Sequence, residues 1–313
     1  MKYYNHFEDL KLHHPTVITL GKFDGLHEGH RELLETMFQI KEEKGYRALI
    51  FTFDMQPKQY ISGETIPVIT TNAEKRALFS ELGVDYFIEC PFSDELMRMS
   101  PREFVTFLVE ELQVKSFVVG SDFCFGYQRA GNCDTLRDLS KEFGFDVFVK
   151  DKICHKNREI SSTYIREELL AGNMKTAEKL LGYPYFIENR IVHGNHIGRK
   201  MGIPTVNMEI DAEKVIPPKG VYVSRITILD EGKEYMGISN IGNKPTIGDD
   251  YPTGVESFLF DFNGDLYGKV LRVSFLYYVR PERKFENLDA LKEQIDKDIE
   301  FAKEYYENVT KMC

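Results

Sequence analysis

The stretch VITLGKFDGLHEGHRELL, residues 17–34, decides how this chain is read. It opens as an apolar run, breaks at Gly21, passes Asp24 and Gly25, and enters a helical pattern that carries His27 and His30. Side chains three residues apart on a helix share a face. In a parallel sheet such a turn lies beyond the carboxyl end of a strand, where ligands bind, and the helix N-terminus there offers unpaired N–H groups with about half a positive charge. Two imidazoles and the backbone can then converge on one anion, with Gly21 and Gly25 allowing a tight turn and close backbone approach. That suits the charge that builds on a phosphate during substitution at phosphorus. The stretch alone leaves two other readings open: a metal held by Asp24, His27 and His30, or ordinary helix capping with incidental histidines.

Working outward, the sequence up to about residue 182 alternates β-rich apolar runs with helical patterns. Residues 16–20, 48–53, 86–90, 117–120 and 147–150 read as strands, and 28–44, 73–82, 101–112 and 134–143 as helices, with Pro101 suited to a first helical turn. This is an α/β layout around a mainly parallel, Rossmann-like sheet. Helices near 163–171 and 175–181 close this half. After Gly182-Tyr183-Pro184 the texture changes to short β-rich runs, 186–193, 205–209, 221–228, 235–241, 255–260 and 270–278, separated by turn signals such as PPKG, NGD and GDD. Short strands at this spacing predict a small antiparallel barrel, with an amphipathic helix over 288–306 packed on it. The expected domains are therefore 1–182 and 183–313.

Composition limits the function classes. The chain has 313 residues, 42% hydrophobic and 29% charged, with no apolar run long enough for a membrane span. Its first residues, MKYYNHFEDLKLHH, lack the apolar core of a secretory signal, and its five cysteines form no CxxC pair, so the expected compartment is the cytoplasm, with reduced thiols. A net charge of −10 gives no footprint for polymeric nucleic acid. Small anions remain compatible with it, since local cations, backbone N–H groups and Mg²⁺ can hold them.

Two more segments deliver polar groups to the sheet's ligand edge: GSDFCFGYQRAG, residues 120–131, with Asp122, and REISSTYIR, residues 158–166, with Ser161, Ser162, Thr163 and Arg166. The hydroxyls there are also apt helix caps. In the second half, GIPTVN, residues 202–207, places Thr205 and Asn207 two apart, so that on a strand both face one way. A hydroxyl and an amide oxygen are hard ligands suited to Mg²⁺ on ATP phosphates, although a polar strand-entry turn has the same appearance. HGNHIGRKMG, residues 193–202, is glycine-spaced and basic, as expected of a loop over phosphates. Glu256 stands inside an otherwise apolar strand pattern; it either faces solvent or, beside Thr205 and Asn207, accepts a proton from an attacking hydroxyl.

GKFDGLHEGH, VVGSDFCFG and ISSTYIR resemble the nucleotidyltransferase module of bacterial bifunctional riboflavin kinase/FAD synthetases, of the HxGH superfamily. PTVN, Glu256, NIGNKPTIG and DFNGDLYGK are similar to that family's kinase module, whose PTAN motif appears here as PTVN. The resemblance runs in order along nearly the whole chain. It implies two reactions: Mg²⁺-ATP phosphorylates riboflavin to FMN in the barrel, and FMN attacks the α-phosphate of a second ATP in the N-terminal domain, giving FAD and pyrophosphate. By the same resemblance His27 and His30 stabilise the α-phosphate transition state. Gly21, Phe23, Asp24, Gly25, Ser162, Thr163 and Arg166 surround the phosphates, and Asp122 orients nucleotide or metal. In the kinase module Gly198 and Arg199 contact phosphate, Thr205 and Asn207 hold Mg²⁺, and Glu256 is the base. The partners expected are small molecules alone, and the protein a monomer or weak homo-oligomer.

The chain departs from the family pattern in three places. Lys22 stands where asparagine is usual, FDMQP (53–57) replaces FEPHP, and Phe258 replaces a histidine two residues after the glutamate. Gln56 can hydrogen-bond but cannot carry a proton at neutral pH as histidine does. These departures keep two alternatives in view: an enzyme with a single activity and one degenerate module, and a flavin-binding regulator without turnover.

Overall fold

The computed structural model describes the chain except residues 8, 56–58, 61–62, 193–201, 244–252 and 311–313, and the side chain of residue 310. It divides into two compact units, Met1–Ser162 and Thr163–Cys313. The division falls earlier than the expected 182. Its physical reason is that the second of the two helices following Ser162 packs on the barrel wall through Lys175, whose Nζ lies 5.5 Å from the centre of the Tyr277 ring and 5.2 Å from that of Tyr305.

The first unit is a six-stranded parallel sheet in the order β1-β4-β3-β2-β5-β6: β1 Lys2–Tyr4, β2 Thr16–Leu20, β3 Arg47–Phe53, β4 Tyr86–Cys90, β5 Val114–Gly120 and β6 Asp146–Lys150. Helices α1 Glu28–Lys44, α2 Asn72–Glu81, α3 Asp94–Arg98, α4 Pro101–Glu110 and α5 Cys133–Phe143 connect them. Every residue of β2 is buried, as both-face coverage of a central parallel strand requires. The chain steps from β2 to β3 to β4 on one side, then crosses back to place β5 on the other side of β2. The crevice of such a sheet opens where the strand order reverses. That is the carboxyl end of β2 and β5, so the turns after Leu20 and Gly120 share one edge.

Local signals fix the helices. α1 ends at left-handed Gly45, and Thr71 with Glu74 and Ser100 with Glu103 form capping boxes at α2 and α4, the latter with Pro101 in its first turn. Three elements were not expected from the pattern. β1 is three residues long and exists through parallel pairing with β4, α3 is a single turn and a half, and β7 Cys154–His155 with β8 Arg158–Glu159 form a two-residue hairpin.

The second unit begins with α6 Ser162–Leu170, shared across the division, and α7 Met174–Leu181. A closed antiparallel barrel follows in the order β10-β13-β12-β11-β14-β9: β9 Phe186–Val192, β10 Val206–Glu209, β11 Gly220–Ile228, β12 Lys233–Gly242, β13 Gly254–Leu259 and β14 Val270–Pro281. β10 starts at Val206, so Thr205 stands at its threshold and not, as the sequence pattern suggested, within it. The interior includes a ladder of buried hydroxyls, Ser224 to Ser239 at 2.6 Å and Ser239 to Ser257 at 2.7 Å. Outside, α8 Leu288–Thr310 lays Ile295, Ile299 and Ala302 against Val221, Val223 and Ile238. The guanidinium of Arg280 is forked onto buried Asp298 of that helix, Nε–Oδ1 3.0 Å and Nη2–Oδ2 2.7 Å.

At Gly237 in β12 the barrel strands come so close that an added Cβ would stand 2.3 Å from the Phe258 carbonyl oxygen and 2.7 Å from Ile226 Cδ1. Gly237→Ala should therefore lower the barrel's unfolding free energy by about 1–3 kcal/mol. The reading is a lower urea midpoint at unchanged slope; an unchanged midpoint would contradict this packing.

Candidate active sites

The first site is built on the β2–α1 turn. Phe23 (φ 50°), Gly25 (φ 83°) and Leu26 (φ 38°) all lie in the left-handed region, where bulky residues are strained. The surroundings hold them there. Phe23 is fully buried against Phe79, and a Cβ on Gly21 would crowd the Phe23 ring at 3.2 Å. Asp24 Oδ1 accepts hydrogen bonds from the N–H groups of Ile69 (2.7 Å) and Thr70 (3.2 Å), and Gly25 N–H donates to the Thr70 hydroxyl at 3.0 Å. The hydroxyl of Ser162 donates to the Asp24 carbonyl at 2.8 Å.

This turn presents His27 as the N-cap of α1, with no side chain capping the helix. No side chain supplies the cap of this helix, and among the described residues no group of three or more His, Cys, Asp or Glu side chains is gathered to hold a metal ion. The imidazoles of His27 and His30 stack, ring centres 3.7 Å apart and planes 19° from parallel, and Phe23 packs on His30 at 5.1 Å. The glycine between them has a steric reason: a Cβ on Gly29 would lie 3.3 Å from Cε1 and Nδ1 of His27. Both Nδ1 atoms are buried without a hydrogen-bond partner. Burial pushes His27 down to about 4, against a smaller upward pull from its own backbone, and pushes His30 well below the usual imidazole range, helped by its neighbour His27. The pair is neutral at physiological pH. Nδ1 of each ring is turned into the protein, which leaves Nε2 as the nitrogen to meet a ligand.

Asp122 follows β5 at the same sheet edge, exposed and 3.2 Å from Lys152 Nζ. Thr163 and Arg166 lie on α6, in the second unit. Sequence reasoning missed Ile69 and Thr70, which grip Asp24. It also missed the buried pair Lys75 and Glu89, 3.5 Å apart. None of these carries a local motif; they come from the approach to α2, from α2 itself and from β4, and tertiary packing gathers them.

The second site lies on the barrel. Cross-strand register puts Asn207 of β10 opposite Glu256 of β13, and Glu256 opposite Asn240 of β12. Directly paired residues project to one face, so the three side chains form a row. Val255, Ser257 and Leu259 are buried in alternation with Glu256 and Phe258, which places the row on the outer face. Asn240 Nδ2 donates to Glu282 Oε1 at 2.9 Å. Asn207 is 5% exposed and its Oδ1 is buried without a hydrogen-bond partner, an acceptor left for a cation. That donor chemistry fits Mg²⁺. Thr205 opens onto a cavity of about 340 Å³ that is also lined by Pro204, Leu259, Phe262 and Tyr267. A wider groove of about 660 Å³, between Tyr235, Phe260 and Tyr306, lies at the other end of β12 and touches none of these groups. Gly198, Arg199, Gln56 and the Pro245–Thr246 pair fall outside the described residues.

Comparison with known proteins covers both sites. Residues 9–164 match the family model for FAD synthetase and residues 181–306 that for riboflavin kinase. The chain is 35% identical over 301 residues to a bifunctional riboflavin kinase/FMN adenylyltransferase of Bacillus subtilis, covering 95% of this chain and 94% of that protein. It is 37% identical over 291 residues to one of Haemophilus influenzae (92% and 94%) and 36% over 292 residues to one of Escherichia coli K12 (93% and 92%). A solved structure from Streptococcus pneumoniae, named as a macrolide-efflux protein, shares the fold at a TM-score of 0.85 and 29% identity, covering 96% of this chain and 98% of its own. Among the described residues no helix is long and apolar enough to cross a membrane. The chain belongs to the family of bifunctional riboflavin kinase/FMN adenylyltransferases.

Proposed function

We infer that this chain carries out both reactions of its family, phosphorylating riboflavin to FMN with ATP and then adenylylating FMN with a second ATP to give FAD and pyrophosphate. The observation that supports this most is that each half holds its own constellation: a stacked histidine pair with both Nδ1 atoms buried at one sheet edge, and a carboxylate between two amides on a barrel face. The degenerate-module and regulator readings have no comparable support, since a pocket that only binds flavin has no use for Glu256 in that row.

In the barrel, which we assign to 183–313, Thr205 and Asn207 would hold Mg²⁺; when bound, it offsets the charge of the ATP phosphates. The cavity beside Thr205 takes the nucleoside. Glu256 accepts the proton of the terminal ribityl hydroxyl as that oxygen attacks the γ-phosphorus, and ADP leaves. General-base help of this kind is worth about 10²–10⁴-fold.

In the N-terminal part, assigned to 1–182, a phosphate oxygen of FMN attacks the α-phosphorus and pyrophosphate leaves. His27 and His30 donate from Nε2 to the oxygens on which charge accumulates. As neutral donors they act through hydrogen bonds in a sealed site, where fixed dipoles count for more than in water. The strained turn fixes their direction. Ser162 and Asp122 belong to the nucleotide site of this unit in this reading.

Two expectations follow. Glu256→Gln should lower FMN formation at least a hundredfold and leave conversion of supplied FMN to FAD intact, while His27→Ala with His30→Ala should do the reverse; folded variants that each lose both activities would contradict the two-site reading. The second concerns pH. A histidine whose folded pKa is depressed contributes stability that is full above the ordinary imidazole value and is lost as pH falls toward the folded one. For His27 that window runs from 6.5 down to about 4. An NMR titration of its ring proton should show a midpoint near 4, and one near 6.5 would contradict the buried, neutral pair.

A further inference from the structure

Lys75, on the first turn of α2, is 5% exposed, an unusual place for an ammonium group. Its Nζ lies 3.5 Å from Oε1 of Glu89, which is 3% exposed on β4. Glu89 already has partners on its other oxygen: Arg76 Nη1 at 2.6 Å and the Tyr3 hydroxyl at 3.1 Å. Desolvation lowers the pKa of Lys75 in spite of Glu89, so the cation is held there against its own hydration. A buried pair of this kind is usually no more stabilising than well-packed apolar residues of the same volume. Stability alone does not account for it.

The second carboxylate whose charge acts on Lys75 is Asp24. The connection is also covalent and short. Lys75 N–H bonds back to the carbonyl of Thr71, the N-cap of α2, and the two residues before that cap, Ile69 and Thr70, give Asp24 Oδ1 its hydrogen bonds. Thr70 also receives Gly25 N–H. Residues 69–75 thus form a strap fastened at one end to the histidine turn and at the other to Glu89.

We propose that Lys75 is a positioning residue for adenylyl transfer: anchored on Glu89, it holds the strap so that His27 and His30 keep the geometry the α-phosphate requires. The proposal rests on the reading that this histidine pair acts on the nucleotide. A misplacement of about 1 Å can cost a hundredfold in rate. The effect belongs in the turnover of FMN to FAD and not in nucleotide affinity, because Lys75 is buried beneath the turn.

The test replaces the ion pair by apolar side chains in the full chain, Lys75→Met with Glu89→Leu; Arg76, one-third exposed, can turn to water. The expected result is a folded protein with unchanged riboflavin phosphorylation, an adenylylation kcat lower by roughly tenfold to a hundredfold, and a KM for ATP within about threefold of the parent. Lys75→Arg, which keeps the charge, should restore most of the rate. In a His27→Ala background the pair replacement should cost little more, since it acts through that ring. A parental adenylylation kcat in the apolar variant would overturn the proposal, as would parallel losses of both activities. Should that variant fail to fold, Lys75→Gln keeps the length without the charge: the same kcat-only loss supports the proposal, and a parental kcat overturns it. Failure of the underlying reading looks different, because His27→Ala would then leave adenylylation untouched.

Discussion

One carboxylate oxygen, Asp24 Oδ1, holds the N-terminal site together. By accepting from both Ile69 and Thr70 it fastens the turn after the central strand to the segment that starts the next helix. Three residues of that turn have left-handed backbones, two of them bulky, and such strain persists only where the surroundings over-determine it. The strain has a use. It directs His27 back over Gly29 onto His30, leaves the first N–H groups of α1 without a side-chain cap, and seals both Nδ1 atoms. Two imidazoles that are neutral by burial then stand beside a helix N-terminus that is positive by its dipole. In the proposed reading such a site draws phosphate through backbone and preorganised donors, which is how a chain of net charge −10 would bind nucleotide without a basic surface.

The barrel solves a related problem by register. Pairing of β10, β13 and β12 brings a buried amide oxygen, a carboxylate and a second amide into one row, although they come from positions 207, 256 and 240. A shift of one residue in any of these pairings would turn Glu256 toward the serine ladder of the interior and dismantle the site. The closed strand order that sets this register is therefore a constraint on the row as much as a source of stability.

What was legible in the sequence follows from how local each feature is. The strand, turn and helix of residues 17–34 lie within one short window, so their periodicity and glycines could be read directly, and β2 and α1 have the expected bounds. Apolar residues at helical spacing, with Pro101 in a first turn, located α2, α4 and α5 to within a residue or two. β1 could not be read, because three residues have no period and their strand character comes from pairing with β4. Glu256 was visible as an acid in an apolar pattern, but its neighbours Asn207 and Asn240 depend on a register that alternation alone does not set. Lys75 and Glu89 looked like ordinary helix and strand residues, and their burial is a product of tertiary packing. The motifs also needed the family resemblance to become two reactions, since an anion site does not specify its anion.

The central claim is that one chain makes FMN in its barrel and consumes it at its histidine turn. The most direct measurement is a time course of the purified protein with riboflavin, ATP and Mg²⁺, separating FMN and FAD by chromatography, beside a parallel reaction started from FMN. The account predicts FMN from riboflavin, followed by FAD, and FAD from supplied FMN without riboflavin. Absence of FMN in the first reaction, or of FAD in the second, would contradict it.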